Sequence, residues 1–152
     1  MPRRVYASAI EIDAPPALVW KVLTELDRYP AWNPFTTAVR STLRDGDAVD
    51  LSVRMSRLGL TVEQREHVRK VREGERLRWG MKLGARWLLS GERDQRIESL
   101  GADRSRYTTE DAITGALAPL VWLIFGPSLD DGFASMTRAL KREAERRATE
   151  DR

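Results

Sequence analysis

Cysteine is missing from this chain, and histidine occurs once, at position 67. The first absence excludes disulfides and thiolate chemistry and makes a reducing cytoplasm the expected compartment. The second leaves a zinc centre without a plausible ligand set, because neither cysteine nor a second histidine is there to join His67. Strand parity counted from an inward Val68 puts His67 on the wet face, beside Arg65 and Arg69. A Ser-His-Asp triad would need that same histidine, and no Gly-x-Ser-x-Gly elbow is present. Glycine-rich phosphate loops and dinucleotide fingerprints are also lacking, so no metal and no cofactor is expected. The longest apolar run, Ala116 to Phe125, is too short to span a bilayer, and stable membrane insertion is not expected. The opening Met1-Pro-Arg-Arg-Val-Tyr6 has no apolar run of the signal-peptide kind.

Charge of a single sign is scarce too. Lys and Arg number 26 against 23 Asp and Glu, a net charge of +3. The arginines interleave with acids throughout, which describes a solvated surface rather than a nucleic-acid stripe. A length of 152 residues suits one domain over positions 1–152, with a core large enough for one internal cavity. A monomer or homodimer is expected.

What is present begins with the segment from Ala116 to Arg147. Leu117, Leu120, Val121, Ile124, Phe125, Phe133, Met136, Ala139 and Leu140 recur at helical steps and predict one buried face. Gly126-Pro127 lies inside the pattern, where a missing donor and a crowded turn predict a kink or short break. Such a helix cannot cover its own apolar face. A sheet earlier in the chain is the natural partner.

Val5 to Asp13 alternates, with Tyr6, Ser8, Ile10 and Ile12 on one face of a first strand. Ala14-Pro15-Pro16 stops it and opens a helix carrying Leu18, Val19, Val22, Leu23 and Leu26. Tyr29 to Phe35 predicts a short second helix or turn, limited by Pro30 and Pro34. The period then switches to two. Thr36 to Leu43 and Ala48 to Ser56 flank the turn signal Arg44-Asp45-Gly46-Asp47. Strands follow at Leu60 to Val71, around Leu77, Trp79 and Met81, at Trp87 to Ser99, and at Arg104 to Thr114. Six consecutive strands beside segregated helices indicate an α+β fold. Apolar-in, arginine-out alternation suits an antiparallel sheet with one wet face, here seven strands curled around the long C-terminal helix.

Two stretches resemble a known family. Ile10-Glu-Ile-Asp-Ala-Pro-Pro-Ala-Leu-Val-Trp20 and Tyr29-Pro-Ala-Trp-Asn-Pro-Phe35 are similar to the opening signature of the START-like helix-grip superfamily (SRPBCC), in its polyketide cyclase/dehydrase and lipid-transport branch. Leu77-Arg-Trp79, Ser90-Gly-Glu-Arg93, Gly115 with the following Leu-Ala-Pro-Leu, and Gly132-Phe-Ala-Ser-Met136 also fit. The resemblance implies a deep apolar cavity between sheet and long helix, used in relatives for lipids, polyketides, hormones or quinones. It fixes the fold far better than the chemistry. Relatives often carry His, Phe, His and Glu at the positions aligned with 93, 95, 109 and 111. Here those are Arg93, Gln95, Thr109 and Asp111, so histidine-mediated proton transfer is unavailable at those positions.

The polar interruptions sit on strands six and seven. If Trp87, Leu89, Gly91, Arg93, Gln95 and Ile97 face inward, a turn at 101–103 sets 97 against 107, 95 against 109 and 93 against 111. Tyr107, Thr109, Asp111 and Ile113 then face inward as well. Arg93 would stand across from Asp111, and an Arg93–Asp111 ion pair is expected because an unpaired buried charge is costly. That pair reads either as a polar anchor for a ligand or as a structural brace. Trp79, Trp87, Met55, Met81 and Met136 are the expected cavity lining, with Trp32 and Phe35 at the lip or as a corner plug. Trp20 and Trp122 are assigned to packing.

Three functions stay open. The first is a binding or carrier protein for a small hydrophobic molecule, which is lipid-, polyketide- or quinone-like. The second is a cyclase/dehydratase-like enzyme using Arg93 to polarise a carbonyl, Asp111 as base and Tyr107 in support. Pairing with Arg93 would weaken Asp111 as a base, which favours binding over catalysis. The third is a non-catalytic regulatory interaction module.

Overall fold

The computed structural model describes residues 1–152. Its elements run β1 (Arg3–Ile12), α1 (Pro16–Thr24), a single 3-10 turn (Leu26–Arg28), α2 (Tyr29–Trp32), β2 (Thr36–Arg40), β3 (Ala48–Met55), β4 (Leu60–Arg72), β5 (Arg76–Leu83), β6 (Leu89–Gly101), β7 (Arg104–Thr114) and α3 (Ala118–Glu150). The seven strands form one antiparallel sheet in the order β1-β7-β6-β5-β4-β3-β2. Alternating strands give the sheet one apolar face, and α3 lies along it against β1, β3 and β7. This is the α+β helix-grip arrangement, with two short helices between the first two strands.

Local chemistry sets the boundaries. Pro15 at the N-cap and Pro16 in the first turn start α1, whose buried face is Val19, Val22 and Leu23. Pro30 similarly sits in the first turn of α2. Gly46 (φ 88°) and Gly74 (φ 80°) occupy left-handed positions in the β2–β3 and β4–β5 connections, where a side chain would be strained. The expected β6–β7 register is the observed one: Ile97 faces Tyr107, Gln95 faces Thr109 and Arg93 faces Asp111. A bulge between Ser99 and Gly101 absorbs the odd residue of that turn.

Four expectations need correction. β2 ends at Arg40, so the connection to β3 is longer than a tight hairpin. β6 begins at Leu89, and Trp87 belongs to the preceding loop. α3 passes Pro127 without a break. Leu123, whose carbonyl would have bonded the missing N–H, lies on the outer face of the helix, where water can serve it. Finally, Leu117, Leu120 and Ile124 are exposed rather than packed against the sheet. The curled sheet closes over α3 only from about Pro127 onward, leaving the first turns half covered.

Candidate functional site

Between the sheet and α3 lies a cavity of about 220 Å³. Apolar side chains from β3–β7 and α3 make most of its wall, among them Met55, Val62, Trp79, Ile113, Phe125 and Phe133. Phe35 closes one side and packs edge-on against Phe133 at 4.9 Å between centroids. Gly132 permits that approach: a Cβ there would stand 2.1 Å from the Phe35 ring. Trp79, Arg93 and Phe133 are buried, whereas Val62, Met81, Leu89, Val121 and Phe125 are only half-buried. The cavity is therefore deep at the Arg93 pole and approaches solvent where β3–β4, β5–β6 and the start of α3 meet. A wider depression outside β2, about 990 Å³, is shallow and polar and is edged by the exposed Arg65–Asp50 ion pair.

Six polar residues line the cavity: Thr36, Ser90, Gln64, Glu66, Arg93 and Asp111. The expected Arg93–Asp111 ion pair does not form. Arg93 Nε donates to Thr109 Oγ1 at 3.2 Å, Nη2 reaches Met136 Sδ at 3.0 Å, and the guanidinium lies 5.0 Å from the Phe133 ring and 5.8 Å from that of Trp79. The long side chain leans one rung along the ladder, toward Thr109. Asp111 leans the other way, its Oδ1 4.0 Å from where a Gly91 Cβ would be. Facing backbone positions thus carry diverging side chains. Thr109, two aromatic faces and a thioether replace the carboxylate as partners of a cation that is 5% exposed.

Without that pair, the carboxyls behave differently from the sequence expectation. Burial raises the Asp111 pKa to about 6, with Arg93 pulling it down and Glu92 pushing it up. Glu66 is raised further, to about 8, by burial and then by the Asp111 charge, against the opposing pull of Arg93. Gln64 Nε2 donates to Glu66 Oε2 at 2.9 Å. Near neutral pH the two carboxyls together hold a proton, predominantly on Glu66. The cavity then presents a carboxylic acid, a carboxylate and a guanidinium. Thr36 Oγ1, also on the wall, is buried with no protein partner.

Of the residues singled out from sequence, Phe35, Met55, Trp79, Met81, Arg93 and Asp111 line the cavity. Gln95, Tyr107, Thr109 and Met136 lie behind it, supporting the Arg93 pole. Tyr107 Oη donates to Gln95 Oε1 at 2.5 Å, and burial raises its pKa. Trp32 is off the cavity and packs edge-on against Tyr29 at 5.0 Å, which makes it the corner plug. Trp87 is 65% exposed and off the wall altogether. Glu66 and Gln64 were the residues sequence reasoning missed. The parity from Val68 that sends His67 outward also sends Glu66 and Gln64 inward, and that was the available signal. No three His, Cys, Asp or Glu side chains cluster so as to hold a metal ion.

Comparison with known proteins places this geometry. No curated protein sequence matches the chain. Among solved structures it resembles the ZhuI aromatase/cyclase of Streptomyces sp. R1128, with TM-score 0.73, 19% identity and 96% of each chain covered. It also resembles a START superfamily protein of Mycobacterium smegmatis, with TM-score 0.65, 17% identity, and 97% of this chain and 99% of that one covered. A third similar structure is norcoclaurine synthase of Thalictrum flavum, with TM-score 0.70, 15% identity and 96% of each chain covered. Identities this low speak for the fold alone. The family model described as polyketide cyclase / dehydrase and lipid transport matches residues 3–149, and with the sheet gripping α3 this chain belongs to that family.

Proposed function

We propose that the chain works as one cytoplasmic ligand-binding domain that holds a compact, mostly apolar molecule by a polar end. The carrying observation is the contrast inside one cavity: apolar walls, and at the buried pole an arginine with no carboxylate within ion-pair distance. A ligand carbonyl, hydroxyl or carboxylate that accepts from Arg93 would supply the partner the protein withholds. At about 220 Å³ the space is below the roughly 300–1,000 Å³ of typical ligand sites, which favours one or two rings over a full lipid. Within the lipid-, polyketide- or quinone-like class expected from sequence, the family description supports a polyketide- or lipid-like ligand.

Native mass spectrometry of freshly purified protein tests this by the adduct it carries. Arg93→Met should then weaken that ligand by about tenfold or more, the loss of one charge-assisted hydrogen bond, with the melting temperature held or raised. Unchanged affinity with a lowered melting temperature would assign Arg93 to structure instead.

A cyclase/dehydratase-like reaction is the second reading, favoured by the proton-holding Glu66 beside the ionised Asp111. Arg93 would polarise a bound carbonyl, Asp111 would take the proton of the adjacent C–H, a C=C bond would form as the C–O bond of a β-hydroxyl breaks, and Glu66 would protonate that hydroxyl so that it leaves as water. Turnover of a poly-ketone surrogate, lost in Asp111→Asn while binding persists, supports it. Binding without turnover in the unaltered protein removes it.

A further inference from the structure

One end of the molecule is apolar on its outside. The β3–β4 turn (56–59), the β5–β6 loop (84–88) and the link into α3 (115–117) meet there. Arg57 N donates to Ser128 Oγ at 3.0 Å, which ties the β3–β4 turn to α3, while Ala116 N donates to the Trp87 carbonyl at 2.9 Å and Leu117 N to the Leu88 carbonyl at 2.9 Å, which ties the β5–β6 loop to the link that opens the helix. Leu58, Leu83, Trp87, Leu120, Leu123 and Ile124 project from this end, all exposed, with Leu123 at 79%. They come from three separated stretches of sequence, so a single amphipathic face cannot account for them. Exposed apolar tips gathered at one end of a molecule in this way point to an interaction site.

Within the stretches that build this end, the charge has one sign. No Asp or Glu occurs from Met1 to Ile10, from Ser56 to Val62, from Met81 to Gly91 or from Gly115 to Leu129, whereas Arg3, Arg4, Arg57, Lys82 and Arg86 do. Arg57 is spent on Asp131, and Arg86 shares Glu92 with Arg69. Arg4 lies over the Trp122 ring at 5.8 Å, and the ion pairs of the fold include neither Arg3, Arg4 nor Lys82. A second copy docked here would bring like charges together. An anionic bilayer surface supplies both missing halves, phosphate for the cations and an acyl boundary for the apolar tips.

We propose that this end docks reversibly on anionic membrane surfaces, with Trp87, Leu120 and Leu123 entering the headgroup boundary and Arg3, Arg4 and Lys82 meeting lipid phosphates. The surface stands independently of what the cavity binds. If the cavity is a ligand site, its half-covered mouth would face the membrane, and an apolar guest could exchange without crossing water.

Flotation of the full chain with phosphatidylcholine vesicles, with and without phosphatidylglycerol, tests this. Binding is expected only with the anionic lipid and should fall as salt is raised. Trp87→Ser and Leu123→Ser should each weaken it about tenfold, and Lys82→Ser about fivefold, with circular dichroism unchanged. No flotation with either vesicle overturns the proposal, as does binding that both apolar substitutions leave intact. Self-association abolished by those substitutions, with no flotation, would assign the surface to a second copy. Loss of membrane binding with the co-purified ligand retained, or the reverse, separates this surface from the cavity.

Discussion

The two halves of α3 invert the usual relation between hydrophobicity and burial. Ala118 to Pro127 carries no charge, yet its only buried residues are the small Ala118 and Gly126. Ser128 to Glu150 carries ten charged residues, yet buries Leu129, Phe133, Met136, Leu140 and a run of small residues between them. The charged half is the structural half. Its apolar side chains sit under the closed part of the sheet, and its charges pair along the outside, as in Arg147–Glu143 at 2.9 Å and Arg146–Glu143 at 2.7 Å. The apolar half spans the mouth of the cavity, touching it through Val121 and Phe125 and turning Leu120, Leu123 and Ile124 outward. Apolar content alone therefore does not locate a core. Apolar surface left uncovered needs a use other than stability.

Substitutions can sharpen that contrast. Phe133→Ala removes the ring that touches Phe35 and faces Arg93, and should cost about 3–5 kcal/mol in urea unfolding. A loss below about 1 kcal/mol would mean that the covered half of α3 is not the stabilising one.

The acid at the closed pole predicts a pH dependence. Glu66 is held at about 8 against an ordinary 4.5, so between those values the folded chain keeps a proton the unfolded chain has released. Its contribution is complete below the unfolded value and is lost as pH rises through the folded one. Asp111, raised from 3.8 to about 6, acts in the same direction over a lower window. The melting temperature should fall from about pH 5 to about pH 9, and Glu66→Gln should flatten the upper part of that fall. Parallel slopes in the two proteins would show that another group titrates.

Gly132→Ala puts a methyl group into the Phe35 ring and should destabilise by about 1–3 kcal/mol, read from the shift in urea midpoint. At the open half, Leu123→Ser should change stability by no more than about 0.5 kcal/mol in the same measurement. A larger loss there would give both halves of α3 the same structural duty.

Period-two and period-3.6 patterns made the element order legible, and turn residues placed strands such as β7 to within a residue. The β6–β7 register followed from one turn length, because each residue in a ladder fixes the next. Half of the site was readable by the same parity: Arg93 and Asp111 interrupt apolar strands and so stand out. Glu66 was hidden because β4 is rich in charge on both faces, and its inward position shows only once Val68 anchors the count. Trp87 was misplaced because a strand pattern does not state where the loop before it ends.

The order of chemical types along the chain determined that seven strands would present one apolar face to a C-terminal helix, since that arrangement covers the alternating strand faces and the apolar side chains of the second half of the helix. Only the tertiary structure decided that Arg93 and Asp111, though opposite in register, part company. Pairing fixes the positions of Cα atoms, whereas side-chain length and the room left by Gly91 and Thr109 fix where the charges go. It likewise decided which half of α3 the sheet would cover, because curvature accumulates across strands and is written in no single segment.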